Sequence, residues 1–166
     1  MDAENVTIDL KGFTITGSNT DTGILTLGPQ DNIVIRNGTI RDFDDGIGLG
    51  GDNCRIEWVI ASSNAFDGID AGFCDLNNNI ANDNDGTGIK TVDSTIRNNI
   101  ANDNVTDGIE ALGTGNNIIY NTANGNGHKG IVVVCPSNLV GNTAQSNGVA
   151  NLELRGPGCK RYNNLF

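Results

Sequence analysis

Along the chain, Ile, Val and Leu alternate with polar residues for only three or four positions at a time. Asn or Gly then interrupts the run, as in Ile33-Val34-Ile35, Thr39-Ile40 and Gly68-Ile69-Asp70-Ala71. Alternation at period two with β-branched residues predicts short strands. No stretch carries a sustained helical stripe. The runs recur in a frame set by Gly-Ile pairs at Gly23-Ile24, Gly46-Ile47, Gly68-Ile69, Gly88-Ile89, Gly108-Ile109 and Gly130-Ile131, with Asn151-Leu152 in the same place once more. The steps are 23, 22, 20, 20, 22 and 21 residues, a spacing that signals a solenoid.

Two positions per repeat carry Asn. Four residues before the glycine stand Asn19, Asn64, Asn84, Asn104, Asn126 and Asn147; nine before it stand Asn79, Asn99, Asn121 and Asn142, with Asn37 further up. Asn tolerates the left-handed backbone of a sharp turn. In stacked coils equivalent residues lie about 4.8 Å apart, so Asn amides can hydrogen-bond in rows and satisfy buried corners. Trp58-Val59 occupies one such corner, where the row should break, with Trp58 packing outward. A leucine-rich repeat shares the period but needs an L-x-x-L-x-L framework that is missing, and hexapeptide and nonapeptide helices miss the period.

The coil I-x-x-N-x-x-x-x-N-x-x-x-G-I resembles the right-handed parallel β-helix repeat of the pectin-lyase-like superfamily, over Asn5 to Phe166. The resemblance implies an all-β fold, one domain over residues 1–166, with about seven coils and Asn ladders. At about 4.8 Å per coil the rod would be roughly 34 Å long. Met1 runs almost directly into a strand without a signal peptide, so a truncated N-terminus lacking a cap is expected. The tail resembles a last partial coil, with Asn163 extending a ladder and Tyr162, Leu165 and Phe166 covering the open end. Uncapped ends would permit end-to-end self-association.

A net charge of −10 argues against nucleic acid and anionic membranes, and no apolar stretch suits membrane insertion. The even cysteine count suits a secreted or extracytoplasmic protein. Cys54 and Cys74 both stand fourteen residues before a frame glycine, which should stack them within disulfide reach; the alternative is two small core or corner residues. Cys135 and Cys159 bracket the last coil and could close it. The spacings fit no metal site.

In the superfamily the substrate groove runs along the Gly-Ile strands. The residues before the glycines there include Asp45, Asp67, Asp107 and Lys129; those after the isoleucines include Asp70, Lys90, Glu110 and Val132, all expected to point outward. Carboxylates at this spacing serve acid–base work on glycosidic bonds, which makes Asp67, Asp70, Asp107 and Glu110 catalytic candidates. Asp45, Lys90, Lys129 and the neighbouring His128 are candidate substrate contacts. The structural alternative is a salt-bridge ladder Asp70-Lys90-Glu110. No cofactor is required on this view, although carboxylates with loop carbonyls could hold Ca2+.

Signatures that the resemblance would demand of an enzyme are missing. Asp44-Asp45 has no Gly-His or R-x-K in register, no arginine except Arg155 falls on a Gly-Ile strand, and there is no Asp-Pro-His-Glu. The first expectation is therefore a secreted, non-catalytic scaffold or carbohydrate-binding module with a polysaccharide partner. The second is a lyase or hydrolase of an acidic glycan. A third is a fragment of a larger enzyme. No aromatic residue falls on the Gly-Ile face, which weakens both sugar-based expectations.

Overall fold

The computed structural model describes all 166 residues. It is a parallel β-solenoid with no helix. A front sheet stacks the seven Gly-Ile strands in chain order: Ile24–Pro29, Ile47–Gly50, Ile69–Ala71, Ile89–Val92, Ile109–Leu112, Lys129–Val134 and Ala150–Arg155. A back sheet stacks Thr7–Asp9, Val34–Arg41, Cys54–Ser62, Cys74–Asn77, Thr95–Arg97, Asn117–Ile119, Asn138–Val140 and Lys160–Tyr162, with Thr14–Thr16 also paired to Val34–Arg41. A third side is a single column of parallel bridges, Ile60-Ile80-Ile100-Thr122-Thr143-Leu165.

The register explains the hydrophobic pattern. Ile47, Ile69, Ile89, Ile109 and Ile131 pair in one line and point inward from the front sheet. Ile35, Ile56, Leu76, Ile96, Ile118 and Leu139 do so from the back sheet. Each such side chain contributes about 1.5–3 kcal/mol through burial. Ala61, Ala81, Ala101, Ala123 and Ala144 line the third side, where the interior is narrow: a Cβ at Gly130 would lie 2.7 Å from the Ala144 Cβ.

From Asn64 onward the coils turn by one device, a left-handed residue followed by an inward-pointing ladder residue. Asp83 (φ 57°) precedes Asn84, and Asn78 (φ 56°) precedes Asn79. Asn84 Oδ1 accepts from the Asn64 N–H and Nδ2, at 3.1 and 2.9 Å. Its own Nδ2 donates to Ala61 O and Asn104 Oδ1, at 3.2 and 3.0 Å. Both amide hydrogens and the oxygen are thus used, which is what burial demands.

One ladder runs Asn64, Asn84, Asn104, Asn126, Asn147 and ends on Asn151. The other runs Asn79, Asn99, Asn121, Asn142 and ends on Asn164. The second breaks at Val59, as expected, and Trp58 is exposed.

Several corner expectations need correcting. Asn37 is a left-handed turn residue whose amide bonds Asp9, one position before the ladder column. Asn19 is exposed and left-handed, and Phe43 takes the ladder place next to Asn64. Asn163 is likewise the turn residue, and Asn164 is the rung. Of the tail residues, Phe166 packs on the core while Tyr162 and Leu165 stay exposed.

A third ladder crosses the corner entering the back sheet. The Cys74 N–H donates to Ser94 Oγ, Ser94 N–H to Asn116 Oδ1, and Asn116 N–H to Ser137 Oγ, at 2.9–3.1 Å. Disulfides join Cys54 to Cys74 and Cys135 to Cys159, with Cα separations of 4.6 and 5.0 Å.

Candidate functional site on the front sheet

Two columns project from the front sheet, and the structure gives most of their charges a partner. In the column before the glycines, carboxylates bind the backbone of the next coil. Asp45 Oδ1 accepts from Asp67 N–H at 3.0 Å, Asp67 Oδ1 from Thr87 N–H at 2.7 Å, and Asp107 Oδ1 from Lys129 N–H at 2.9 Å. Each carboxylate thereby satisfies a backbone N–H that has no carbonyl acceptor in the neighbouring coil.

The second column is held by two ion-pair networks. Lys90 Nζ lies 2.9 Å from Asp70 and 3.4 Å from Asp67. Lys90 therefore does not bridge Asp70 to Glu110, contrary to the expected ladder. The Asp70 hydrogen bond holds the Lys90 ammonium above its usual range. Glu110 instead pairs at 2.9 Å with Arg155, which reaches back over two coils and also binds Glu153 at 2.7 Å. Lys129 closes this network on Glu153 at 2.6 Å. Lys129 and Arg155 together hold the Glu153 carboxyl below its usual range. Val132, expected to point into solvent, is fully buried; Arg155 spans its coil.

One concavity interrupts this paired surface, near the N-terminal end. Gly48 has no side chain where the next coils carry Asp70 and Lys90. The resulting cleft of about 340 Å³ is lined by Thr22, Leu25, Thr26, Asp45, Gly48 and Asp70. Asp45 is half-buried at its edge, and burial, reinforced by the Asp67 and Asp70 charges, pushes its carboxyl above the usual range. Asp45 has no lysine or arginine partner within ion-pair distance.

The fold thus brings Asp45, Asp67, Asp70 and Lys90 together, and separately gathers Glu110, Lys129, Glu153 and Arg155. Asp107 lies between the two groups. His128 is exposed four coils from Asp45, a rise of roughly 19 Å, and its ring contacts no acid. No three carboxylate, thiol or imidazole groups converge as a metal cradle. The candidates overlooked Thr22, Thr26 and Gly48; the signal for them was a glycine in a column that is charged in the following coils.

The family model for the right-handed β-helix region matches residues 2–121. Among solved structures, the A-module of the Azotobacter vinelandii mannuronan C-5 epimerase AlgE4 is similar in fold, with a TM-score of 0.77 at 20% identity. The match covers 91% of this chain and 49% of that one, so the chain spans about half the length of the epimerase module. No curated protein matches the chain. A match over well over half the chain, on a structure of stacked parallel coils with buried Asn ladders, places it in a family: the chain belongs to the right-handed β-helix region family.

Proposed function

We propose that the protein is a secreted, non-catalytic β-helix module that binds polysaccharide along its front sheet, with the cleft at Asp45, Thr22 and Asp70 as the contact point. The observation that carries this reading is the engagement of the front-sheet acids. Asp67, Asp70, Asp107 and Glu110 are each held by a backbone N–H, a lysine or an arginine. An acid–base pair must exchange protons with a substrate, whereas fixed hydrogen-bonding groups around a cleft serve binding. The fold likeness to an epimerase that acts on mannuronan supports a polysaccharide ligand. Two disulfides suit an oxidising compartment.

A second reading, a lyase or hydrolase of an acidic glycan, is favoured by Asp45 alone. Its raised pKa and open cleft suit a proton donor. Lys90 and Lys129 would then steer an anionic chain toward the sheet. One experiment separates the two: binding and product release measured on neutral and acidic polysaccharides, with and without Ca2+. Binding without new reducing ends or unsaturated products supports the module. Turnover that vanishes in Asp45→Asn supports the enzyme. Neither binding nor turnover on any glycan removes both.

A further inference from the structure

The back sheet carries a feature that neither its fold nor the front-sheet site explains. Its two edges are columns of left-handed turn residues. One edge runs Asn32, Asn53, Phe73, Asp93, Gly115; the other runs Asn37, Trp58, Asn78, Asn98, Tyr120, Gly141, Asn163. Left-handed backbone suits Gly, Asn and Asp and penalises bulky side chains. Phe73, Trp58 and Tyr120 adopt it nonetheless, at φ 54°, 56° and 53°. All three rings are largely in solvent, at 50%, 59% and 61% exposure. Core packing therefore does not account for them. Strain kept at an exposed position points to use.

Beside Phe73 lies a cleft of about 560 Å³, larger than the one on the front sheet, lined among others by Asn53, Arg55, Asp75, Asp93 and Asn117. It extends from the coil of Asn32 to that of Gly115, four coils or roughly 19 Å along the axis, the shape of a linear chain rather than a compact molecule. Arg55 is exposed and has no carboxylate partner within ion-pair distance. Asp75 Oδ2 binds Arg97 at 2.6 Å, while its Oδ1 is buried without a hydrogen-bond donor. The rest of the Asp75 side chain is about one-third exposed and lines the cleft.

We propose that this back-sheet cleft is a second glycan-binding site, distinct from the front sheet, and that it takes a chain containing uronic acid residues. The Phe73 ring offers an apolar platform for the C–H face of a pyranose. The Arg55 guanidinium matches a sugar carboxylate with two parallel hydrogen bonds. Asn53 and Asn117 supply amides for ring hydroxyls. The Asp75 and Asp93 carboxylates, both in the cleft lining, offer acceptors for ring hydroxyls. The proposal rests on the polysaccharide reading above only in its choice of ligand class; its residues are separate.

The test is calorimetric titration of the intact protein with an oligogalacturonate and with a neutral β-glucan oligomer of similar length. The variants are Phe73→Asn, Arg55→Gln and, for the front sheet, Asp45→Asn with Thr22→Val. Phe73→Asn is expected to weaken oligogalacturonate binding at least tenfold while leaving the melting temperature unchanged or higher, because Asn suits left-handed backbone. Arg55→Gln is expected to weaken oligogalacturonate and spare any neutral-glucan binding. A Phe73→Asn variant that melts several degrees lower makes Phe73 a packing residue and overturns the proposal. Unchanged oligogalacturonate affinity in both back-sheet variants, or no binding by the wild type, also overturns it. Loss confined to the front-sheet variant overturns the back-sheet site and keeps the front-sheet reading; loss confined to the back-sheet variants does the reverse.

Discussion

Asn151 stands in the glycine column of the last coil, and its Oδ1 accepts both the Asn147 N–H and the Asn147 Nδ2, at 3.3 and 3.0 Å. In every earlier coil from Asn64 onward that oxygen belongs to the next ladder Asn. The chain thus closes its ladder with a residue from the same coil. Asn151 lies on the last front-sheet strand of this chain, Ala150–Arg155, where its side chain takes the part of a next ladder Asn. Asn151→Gly restores the repeat but leaves Asn147 uncapped. It should cost about 1–2 kcal/mol, read as a lower urea midpoint at constant slope.

An interior rung should cost more. Asn104 accepts from Asn84 N–H and Nδ2 and donates to Asn126 Oδ1 and Ala81 O, all in the buried core. Asn104→Ala orphans several of these groups at once. At about 1–3 kcal/mol for each buried group left unpaired, the loss should exceed that of Asn151→Gly in the same denaturation assay. Equal losses would mean that water replaces the amide.

The frame glycines are set by coil spacing. A Cβ on Gly108 would lie 2.6 Å from Asn126 Nδ2 and 2.7 Å from Gly130 O. Neither atom can yield without breaking the ladder or the sheet. Gly108→Ala should therefore destabilise by about 1–3 kcal/mol or more. Gly72→Ala is the control: its Cβ would meet Val92 Cβ at 3.5 Å, an ordinary contact. Thermal melting of the pair should separate them clearly.

The period and the two Asn ladders were legible because each coil repeats the same residue types at the same offsets, and each type has one physical use. Phase errors arose at Asn19, Asn37 and Asn163, which are left-handed turn residues and not rungs. Asn78-Asn79 and Asn163-Asn164 look alike, and only the direction of the side chain tells turn from rung. The third ladder was hidden because Cys74, Ser94, Asn116 and Ser137 share a role without sharing an identity. On the front sheet the outward columns were legible from alternation. The Asp70–Lys90 pair was legible as well, whereas the partner of Glu110 was not, because Arg155 reaches across the intervening coil to it. The clefts depend on side chains that are missing or turned at a corner, which periodicity does not report.

The disulfides should stabilise by constraining the unfolded chain. Cys135–Cys159 closes a separation of 24 residues and Cys54–Cys74 one of 20, each worth about 3 kcal/mol in the chain-entropy account. Cys135→Ser with Cys159→Ser should lower stability by that order. It should also loosen the C-terminal coil first, because each coil leans only on its neighbours. Hydrogen exchange at Lys160–Tyr162 would rise before exchange at Ile89–Val92; uniform loss of protection would show a solenoid that unfolds as one unit.

Asp45 links stability to pH in the direction opposite to a paired carboxylate. Burial and the nearby Asp67 and Asp70 charges raise its folded pKa above the unfolded value. The folded state then holds the proton more tightly, so stability from this site rises as pH falls through the folded pKa and is complete below the unfolded one. At neutral pH the ionised group is a small net cost. Asp45→Asn keeps an oxygen for the Asp67 N–H and removes the charge. The variant should match or exceed wild-type melting temperature at pH 7, and the difference should shrink toward pH 3. A deficit at pH 7 that does not close on acidification would mean that the carboxylate charge itself is needed to hold the Asp67 turn.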